Sequence, residues 1–154
     1  MPAPQDLVLR DLLAYWRSKC GPDGRLPGRA AINPADLPQL LPHLFLIDVE
    51  SDDDTGPAYR VRLLGTAQSV IYNGSYTGQT IEQMMGSKAT LFRHAFDQVR
   101  QRRGPVGYAG KLVWWFGKEW IEFESIQMPL AGDGSTIDMI IGAGVFSIMG
   151  RKWG

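Results

Sequence analysis

Hydrophobic residues near the start of the chain recur every three or four positions, between residues 6 and 19. This spacing places them on one face of an amphipathic helix, and the turn-forming residues 21–24 predict where the helix ends. The hydrophobic face comprises Leu9, Leu12, Leu13 and Trp16. The proline-rich residues 25–42 show little periodicity, and we predict that they form an ordered connector.

Two later segments, residues 43–49 and 58–64, have the apolar and β-branched composition of strands. The polar residues 51–57 between them have the composition of a turn, which predicts a hairpin. In the second segment, apolar residues alternate with Arg60 and Arg62. Because successive side chains of a strand point to opposite faces, we expect one face of this strand to belong to the core.

The middle of the chain combines short helical segments with one longer helix. Residues 67–72 and 80–85 have helical spacing and are separated by residues that favour turns. Ser87 is suited to cap the longer helix, and Gly104–Pro105 ends it. The apolar stripe of this helix comprises Leu91, Phe92, Ala95, Phe96 and Val99.

Three strands are predicted after this helix. The first covers residues 106–116, and the two-residue turn Gly117–Lys118 joins it to the second. Half-way along the second strand, the apolar positions shift by one residue, from the odd-numbered Ile121 and Phe123 to even-numbered positions from residue 126 onward. Since a strand keeps a period of two, this shift predicts a β-bulge near Ser125.

The final strand covers residues 137–149, in which Gly142 and Gly144 indicate that another group packs closely against the backbone. The order of elements predicts an α+β domain in which helices cover one face of a five-stranded antiparallel sheet. We assign residues 1–39 to the N-terminal helix and the proline-rich connector. Residues 40–150 then form the main domain.

The composition is that of a single folded domain, with 154 residues of which 44% are hydrophobic. Sixteen basic and 16 acidic residues cancel, so no overall positive potential favours binding to nucleic acid or to an anionic membrane. The longest apolar stretch is too short to span a bilayer as a helix. The single cysteine, Cys20, cannot form an intramolecular disulfide, and we expect a cytoplasmic protein.

Four segments resemble those of a family of short stand-alone bacterial PAS proteins. They are Tyr15–Trp16, Leu26–Arg29, Leu41–Leu44 and Arg60–Thr66. In PAS domains, which are sensory, a five-stranded antiparallel sheet and short helices cradle a ligand, and the order of predicted elements here is similar. The resemblance implies a PAS-like α+β fold, a pocket between sheet and helices, and dimerisation through the extra N-terminal helix.

On this resemblance we expect a sensory or regulatory module that binds a small ligand, a signalling partner or both, and catalyses no reaction of its own. We expect a homodimer, with a kinase or another regulator as a further partner, and neither nucleic acid nor membrane. Candidate pocket residues are Leu46, Leu63, Tyr72, Phe92, Phe96, Tyr108, Phe123 and Ile141. Candidate partner-interface residues are Leu9, Leu12, Leu13, Trp16, Trp114 and Trp115. The apolar face of the first helix either folds back within the chain or packs in a dimer, and the residue pattern leaves both open.

His94 is a weak candidate for a haem ligand, because haem-binding PAS domains take an axial histidine from the long helix beside the pocket. A lone imidazole at the edge of an apolar stripe is more commonly a surface or packing residue. Neither histidine has further ligands at metal spacing. Cys20 lies outside the middle helices from which flavin-binding members react, so neither haem nor flavin is favoured.

Two other functions stay open at this point. One is a ligand-free module for protein interaction, in which the first helix and Trp114 or Trp115 form the contact. The other is a small isomerase-like enzyme with a cone-shaped α+β fold, which would use Asp or Tyr in a hydrophobic cavity. The predicted hairpin before the main helix disfavours the cone fold. A fully packed core and an open pocket are equally compatible with the pattern.

Overall fold

The fold is described by a computed structural model for residues 3–50, 56, 58–112, 115, 117–148 and 151–153. In chain order, its helices and strands are α1 (Leu7–Lys19), β1 (Leu44–Val49), β2 (Tyr59–Leu64), α2 (Thr66–Tyr72), α3 (Ile81–Met85), α4 (Ala89–Arg102), β3 (Val106–Lys111), β4 (Ile121–Leu130), β5 (Met139–Ile148) and β6 (Arg151–Trp153). None of the helices in these ranges combines the length and the apolar character that crossing a bilayer requires.

The strands form one antiparallel sheet in the order β2-β1-β5-β4-β3, and β6 pairs with β5 as a sixth strand. β1 and β2 pair antiparallel as predicted, and β3, β4 and β5 form the predicted C-terminal meander. The turn predicted at residues 51–57 lies, apart from residue 56, outside the described residues. The expected α+β fold with an antiparallel five-stranded sheet is therefore confirmed. The short strand β6 is an addition that the residue pattern did not predict.

The sheet is covered on both faces, whereas the residue pattern led us to expect helices on only one. We call the face under α2, α3 and α4 the inner face, and the face under α1 and the connector the outer face. β1 and β5 lie in the middle of the sheet and are apolar on both sides. Leu46 and Ile141, for example, pack on the outer face, while their neighbours Ile47 and Ile140 pack on the inner face.

α1 folds back onto the outer face of the sheet. The carboxylate of Asp6 caps the start of this helix. Leu9 and Leu12 are fully buried, and Leu13 and Trp16 nearly so, because they pack in one cluster with residues of β4 and β5. Of the two alternatives left open for this apolar face, folding back within the chain and packing in a dimer, the structure shows the first, because the chain's own sheet covers the four side chains.

β4 has no bulge near Ser125, so that prediction is wrong. The strand pairs with β5 without interruption from Ile121 to Leu130, and its pairing with β3 is also continuous. The apolar positions change phase because the covering layer changes. Phe123 faces the helices of the inner face, whereas Ile126 lies under α1.

The register shift occurs instead between β1 and β2. Two consecutive residues of β1 pair with Val61 and Leu63, so Arg62 is an extra residue in β2. Beyond Arg62 the side chains exchange faces. Leu64 therefore points to the inner face, and Leu63 is 39% exposed.

Two local predictions also need correction. β3 ends at Lys111 and β4 begins at Ile121, so the connection between them is longer than the two-residue turn predicted at Gly117–Lys118. Ser87 does not cap α4, because Gly86–Lys88 forms a 3₁₀ turn that continues into the helix. A true capping box lies one helix earlier, where the Thr80 side chain and the Gln83 side chain accept each other's backbone N–H groups.

Candidate ligand-binding cavity

A cavity of about 270 Å³ lies between the inner face of the sheet and helices α2, α3 and α4. This volume is near the lower end of the range for small-molecule pockets, roughly 300 to 1,000 Å³. Aromatic side chains from both layers form much of its wall: Phe45, Tyr72, Phe92, Phe96, Tyr108, Phe123 and Phe146. The sheet and the helices therefore leave open the space in which a ligand could be held.

Tyr72, at the end of α2, lies at the centre of the aromatic wall. Its ring contacts Phe92 and Phe146 edge-on, with ring centroids 6.1 and 6.3 Å apart. Trp115 stacks on it at 5.5 Å. Burial raises the pKa of the Tyr72 phenol, so its hydroxyl stays protonated and can donate a hydrogen bond.

Two glycines of β5 allow side chains to lie directly on the backbone of the sheet. A Cβ at Gly142 would come within 2.2 Å of the Phe45 ring, and one at Gly144 within 2.9 Å of the Gln68 amide nitrogen. The Gln68 amide donates to the carbonyl oxygens of His43 at 2.9 Å and Gly144 at 3.2 Å. The predicted close packing at these glycines is confirmed, and it fixes two groups of the cavity wall.

Gln127 supplies a buried polar group to the cavity from β4. Its side chain is 6% exposed, and its Oε1 atom is buried without a hydrogen-bond partner among the described residues. A buried acceptor left unpaired costs about 1 to 3 kcal/mol. Ser125 lines the cavity from the same face of the same strand. The wall is therefore apolar, with hydrogen-bonding groups at a few fixed points.

The helix α4 is held against the sheet by a small polar network at Tyr59. The Tyr59 ring is fully buried and contacts Phe96 at a centroid distance of 5.1 Å. Its hydroxyl donates to the Asp97 carboxylate, and Arg100 lies 3.5 Å from that hydroxyl. Burial, together with the hydrogen bond to Asp97, raises the pKa of Tyr59 to about 12. This network therefore holds in place Phe96, which lines the cavity.

The structure places most, but not all, of the predicted pocket residues at the cavity. Leu46 and Ile141 pack under α1 on the outer face, and Leu63 is turned outward by the extra residue in β2. The predicted residues that do line the cavity are Tyr72, Phe92, Phe96, Tyr108 and Phe123. The main residues that the prediction missed are Phe45, Ile47, Leu64, Phe146 and Gln127. Phe45 and Ile47 flank Leu46 on β1, so assigning the opposite face of this strand to the cavity would have found both.

Of the two tryptophans predicted at an interface, Trp114 lies outside the described residues. Trp115 does not lie on a strand, because β3 ends at Lys111. Its ring is half-buried against Tyr72 and is covered by the Lys118 ammonium, which lies 4.8 Å from the ring centroid. The structure therefore places Trp115 beside the cavity wall.

His94 lies on α4, where it is exposed and forms part of the cavity lining. Within the described ranges, no three His, Cys, Asp or Glu side chains converge in a way that could hold a metal ion. Cys20 is partly buried, and burial raises the pKa of its thiol. The thiol is thus less readily ionised than an exposed one.

A family model described as a PAS domain matches residues 5–145. The chain belongs to the PAS domain family. The match includes α1 and the connector as well as the sheet and the inner helices. No curated protein matches the chain. Because the chain has the PAS fold, the cone-shaped fold considered above is excluded. The family is one of sensory and regulatory modules that commonly mediate protein interactions.

Proposed function

We propose that this PAS domain is a sensory module that binds a small ligand in its cavity and catalyses no reaction itself. The observation that carries the proposal is the 270 Å³ cavity with a buried, unpaired Gln127 acceptor in its wall. Burial of apolar surface stabilises a bound ligand by roughly 25 cal/mol per Å². A few polar groups at fixed positions then orient the ligand.

In a sensor, ligand binding must also change the surface of the protein, and β4 connects the cavity to such a surface. Phe123, Ser125 and Gln127 face the cavity, whereas the intervening Ile126 and the following Met128 pack under α1. The two sets of side chains alternate on one strand. A ligand that moves the backbone of β4 by displacing the inner side chains would therefore also move the side chains on which α1 packs.

A small number of polar contacts hold α1 to the sheet. The carboxylate of Glu124 accepts hydrogen bonds from the backbone N–H groups of Gln5 and Asp6, each at 2.8 Å. The Asp6 carboxylate also pairs with Lys152 of β6 at 3.0 Å. Glu124 lies next to Ser125, which lines the cavity. We propose that ligand binding shifts the equilibrium between docked and released states of α1.

Thermal unfolding tests the binding of a ligand, and hydrogen exchange measured by mass spectrometry tests the response of α1. Indole and 1-octanol serve as probes, one aromatic and one aliphatic, at concentrations that saturate any change in thermal unfolding. We expect at least one probe to raise the midpoint of thermal unfolding, because a ligand that binds only the native state stabilises it. We also expect the exchange rates of the α1 amides to change.

The variant Ser125→Leu fills part of the cavity and should abolish both effects. Glu122→Gln is the matched control, since Glu122 is exposed on the same strand and does not line the cavity. It should keep both effects. If neither probe stabilises the wild-type protein, or if the effects persist in Ser125→Leu, the cavity is not the binding site.

A further inference from the structure

The chemistry of the cavity wall points to a particular class of ligand. Among the described residues that line it, none is Asp, Glu, Lys or Arg. The imidazole in the lining, that of His94, is on the exposed side of the wall. Beside the buried Gln127, a charged ligand would lose its hydration without gaining a counter-charge, and burial of an unpaired ion costs several kcal/mol. A neutral ligand avoids this cost.

The aromatic composition of the wall favours a flat ring over an aliphatic chain. Rings approach the cavity from the sheet, as Phe45, Phe123 and Phe146 do, and from the helices, as Tyr72 and Phe92 do. Aromatic pairs contribute about 0.5 to 1.5 kcal/mol beyond the burial of their area. A planar aromatic ligand can contact rings of both layers at once, whereas a chain gains only the burial.

The unpaired oxygen of Gln127 adds a requirement for a hydrogen-bond donor. Gln68, the other glutamine of the cavity wall, lies on α2, and its side-chain amide donates to two backbone carbonyl groups. Gln127 is also buried, yet its Oε1 has no partner among the described residues. A ligand with an N–H or O–H group at this point would satisfy the oxygen and remove the cost of leaving it unpaired.

We infer that the cavity binds a neutral, planar aromatic molecule that carries an N–H or O–H donor, and that Gln127 accepts a hydrogen bond from this donor. This inference rests on the proposed function, because it assumes that the cavity binds a ligand. Gln127 thereby determines which aromatic molecules bind. Molecules without a donor fit the same space and leave its oxygen unpaired.

Indole and indene test the role of the donor, because they have nearly the same shape and only indole has a ring N–H. Their dissociation constants are measured by NMR titration with the wild-type protein and with Gln127→Leu. We expect the wild-type protein to bind indole about tenfold more tightly than indene, as the net value of one hydrogen bond predicts. In Gln127→Leu the two constants should become nearly equal, because indole loses affinity and indene does not.

The stability of Gln127→Leu separates a binding role from a structural one. Replacing an unpaired buried acceptor by an apolar side chain is neutral or stabilising, so the urea midpoint of this variant should not fall. Equal binding of indole and indene by the wild-type protein, or a preference for indole that survives in Gln127→Leu, would overturn the inference.

Benzamide and benzoate test the preference for a neutral molecule. They share one ring, and near neutral pH only benzoate is charged. We expect benzoate to bind at least about tenfold more weakly, and equal or tighter binding of benzoate would contradict a neutral site. If 1-octanol binds and Ser125→Leu blocks it while no aromatic probe binds, the ligand class is wrong and the proposed function stands. If no probe binds at all, both fail.

Discussion

The indole nitrogen of Trp16, on α1, donates a hydrogen bond to the backbone carbonyl oxygen of Pro129, on β4, at a distance of 2.8 Å. β3 pairs with β4 only as far as Gln127, so the strand is an edge at Pro129. A proline is tolerated at such an edge because it has no N–H to offer a neighbouring strand. The buried Trp16 side chain thus joins α1 to the strand that lines the cavity.

Trp16→Phe should destabilise the protein by about 2 to 4 kcal/mol. The change removes the donor to a buried carbonyl, which costs about 1 to 3 kcal/mol, and leaves space where the larger ring packed. Chemical denaturation measures the loss.

The matched control for this prediction is Trp120→Phe. Trp120 also donates its indole N–H to a backbone carbonyl, that of Gly117 at 3.0 Å, but its side chain is 54% exposed. Its replacement should change the free energy of unfolding by no more than about 0.5 kcal/mol. Similar losses in the two variants would show that the buried hydrogen bond of Trp16 contributes little.

The order of helices and strands could be predicted from the sequence because it depends on local patterns. Helical spacing identified α1 and α4, composition identified β1, and composition together with alternation identified β2. The number of covering layers could not be found in this way. The phase change along β4 arises because Phe123 lies under one layer and Ile126 under another, and this relationship joins segments that are distant in sequence.

The same physical reason limited the prediction of the cavity. Leu46 and Ile47 are adjacent apolar residues, and a strand buried on both faces gives no sign of which one points to the cavity. The alternation along β2 placed Leu63 on the same face as Val61, but the extra residue Arg62 between them turns Leu63 to the opposite face. Gln127 is polar within an apolar strand, and only the structure shows that its oxygen is unpaired.

Gly65→Ala should destabilise the protein strongly, since the backbone of another segment approaches this glycine closely. An added Cβ would lie 2.3 Å from the carbonyl oxygen of Leu41 and 2.5 Å from that of Pro42. Backbone atoms cannot rotate away as a side chain can, and overpacking of this kind costs about 1 to 3 kcal/mol or more. The shift in the thermal midpoint measures this cost.

Gly104→Ala is the control for this prediction, because its nearest contact would be the Arg102 carbonyl oxygen at an ordinary 3.7 Å. We expect this variant to unfold within about 0.5 kcal/mol of the wild-type protein. An equally mild effect of Gly65→Ala would mean that the segment at Leu41 moves aside easily.

Acidification should destabilise the protein through His43. The side chain is 6% exposed and its Nδ1 has no hydrogen-bond partner among the described residues. Burial, and then the positive charge of Lys152, lower the pKa of His43 below its ordinary value of 6.5, although Asp6 and Gly144 act in the opposite direction. Below pH 6.5 the unfolded chain therefore binds this proton more readily than the folded chain, and the free energy of unfolding falls.

The chain has 2 histidines, so His94→Gln, at an exposed position, is the control for His43→Gln. Urea denaturation from about pH 8 to about pH 5 should show a shallower loss of stability in His43→Gln than in either the wild-type protein or His94→Gln. The comparison uses the slope with pH, which is independent of any constant change in packing. An unchanged slope in His43→Gln would assign the acid sensitivity to other groups.

Tyr59→Phe should destabilise the protein near neutral pH and reduce its sensitivity to alkali. The variant loses the hydrogen bond to the Asp97 carboxylate, and hydrogen bonds to charged groups contribute about 1.5 to 3 kcal/mol. Because the pKa of Tyr59 rises from 10.0 to about 12 on folding, the folded state holds this proton more tightly. Its contribution is complete below pH 10 and is lost as the pH rises to about 12.

A double-mutant cycle with Asp97→Asn separates the hydrogen bond from the packing of the Tyr59 ring. We expect Tyr59→Phe to cost less in the Asp97→Asn background than in the wild-type protein, because the charge that strengthens the hydrogen bond is absent. Urea denaturation of all four proteins near neutral pH gives the coupling free energy. Additive losses would mean that the buried ring, and not its hydroxyl, holds α4 against the sheet behind the cavity.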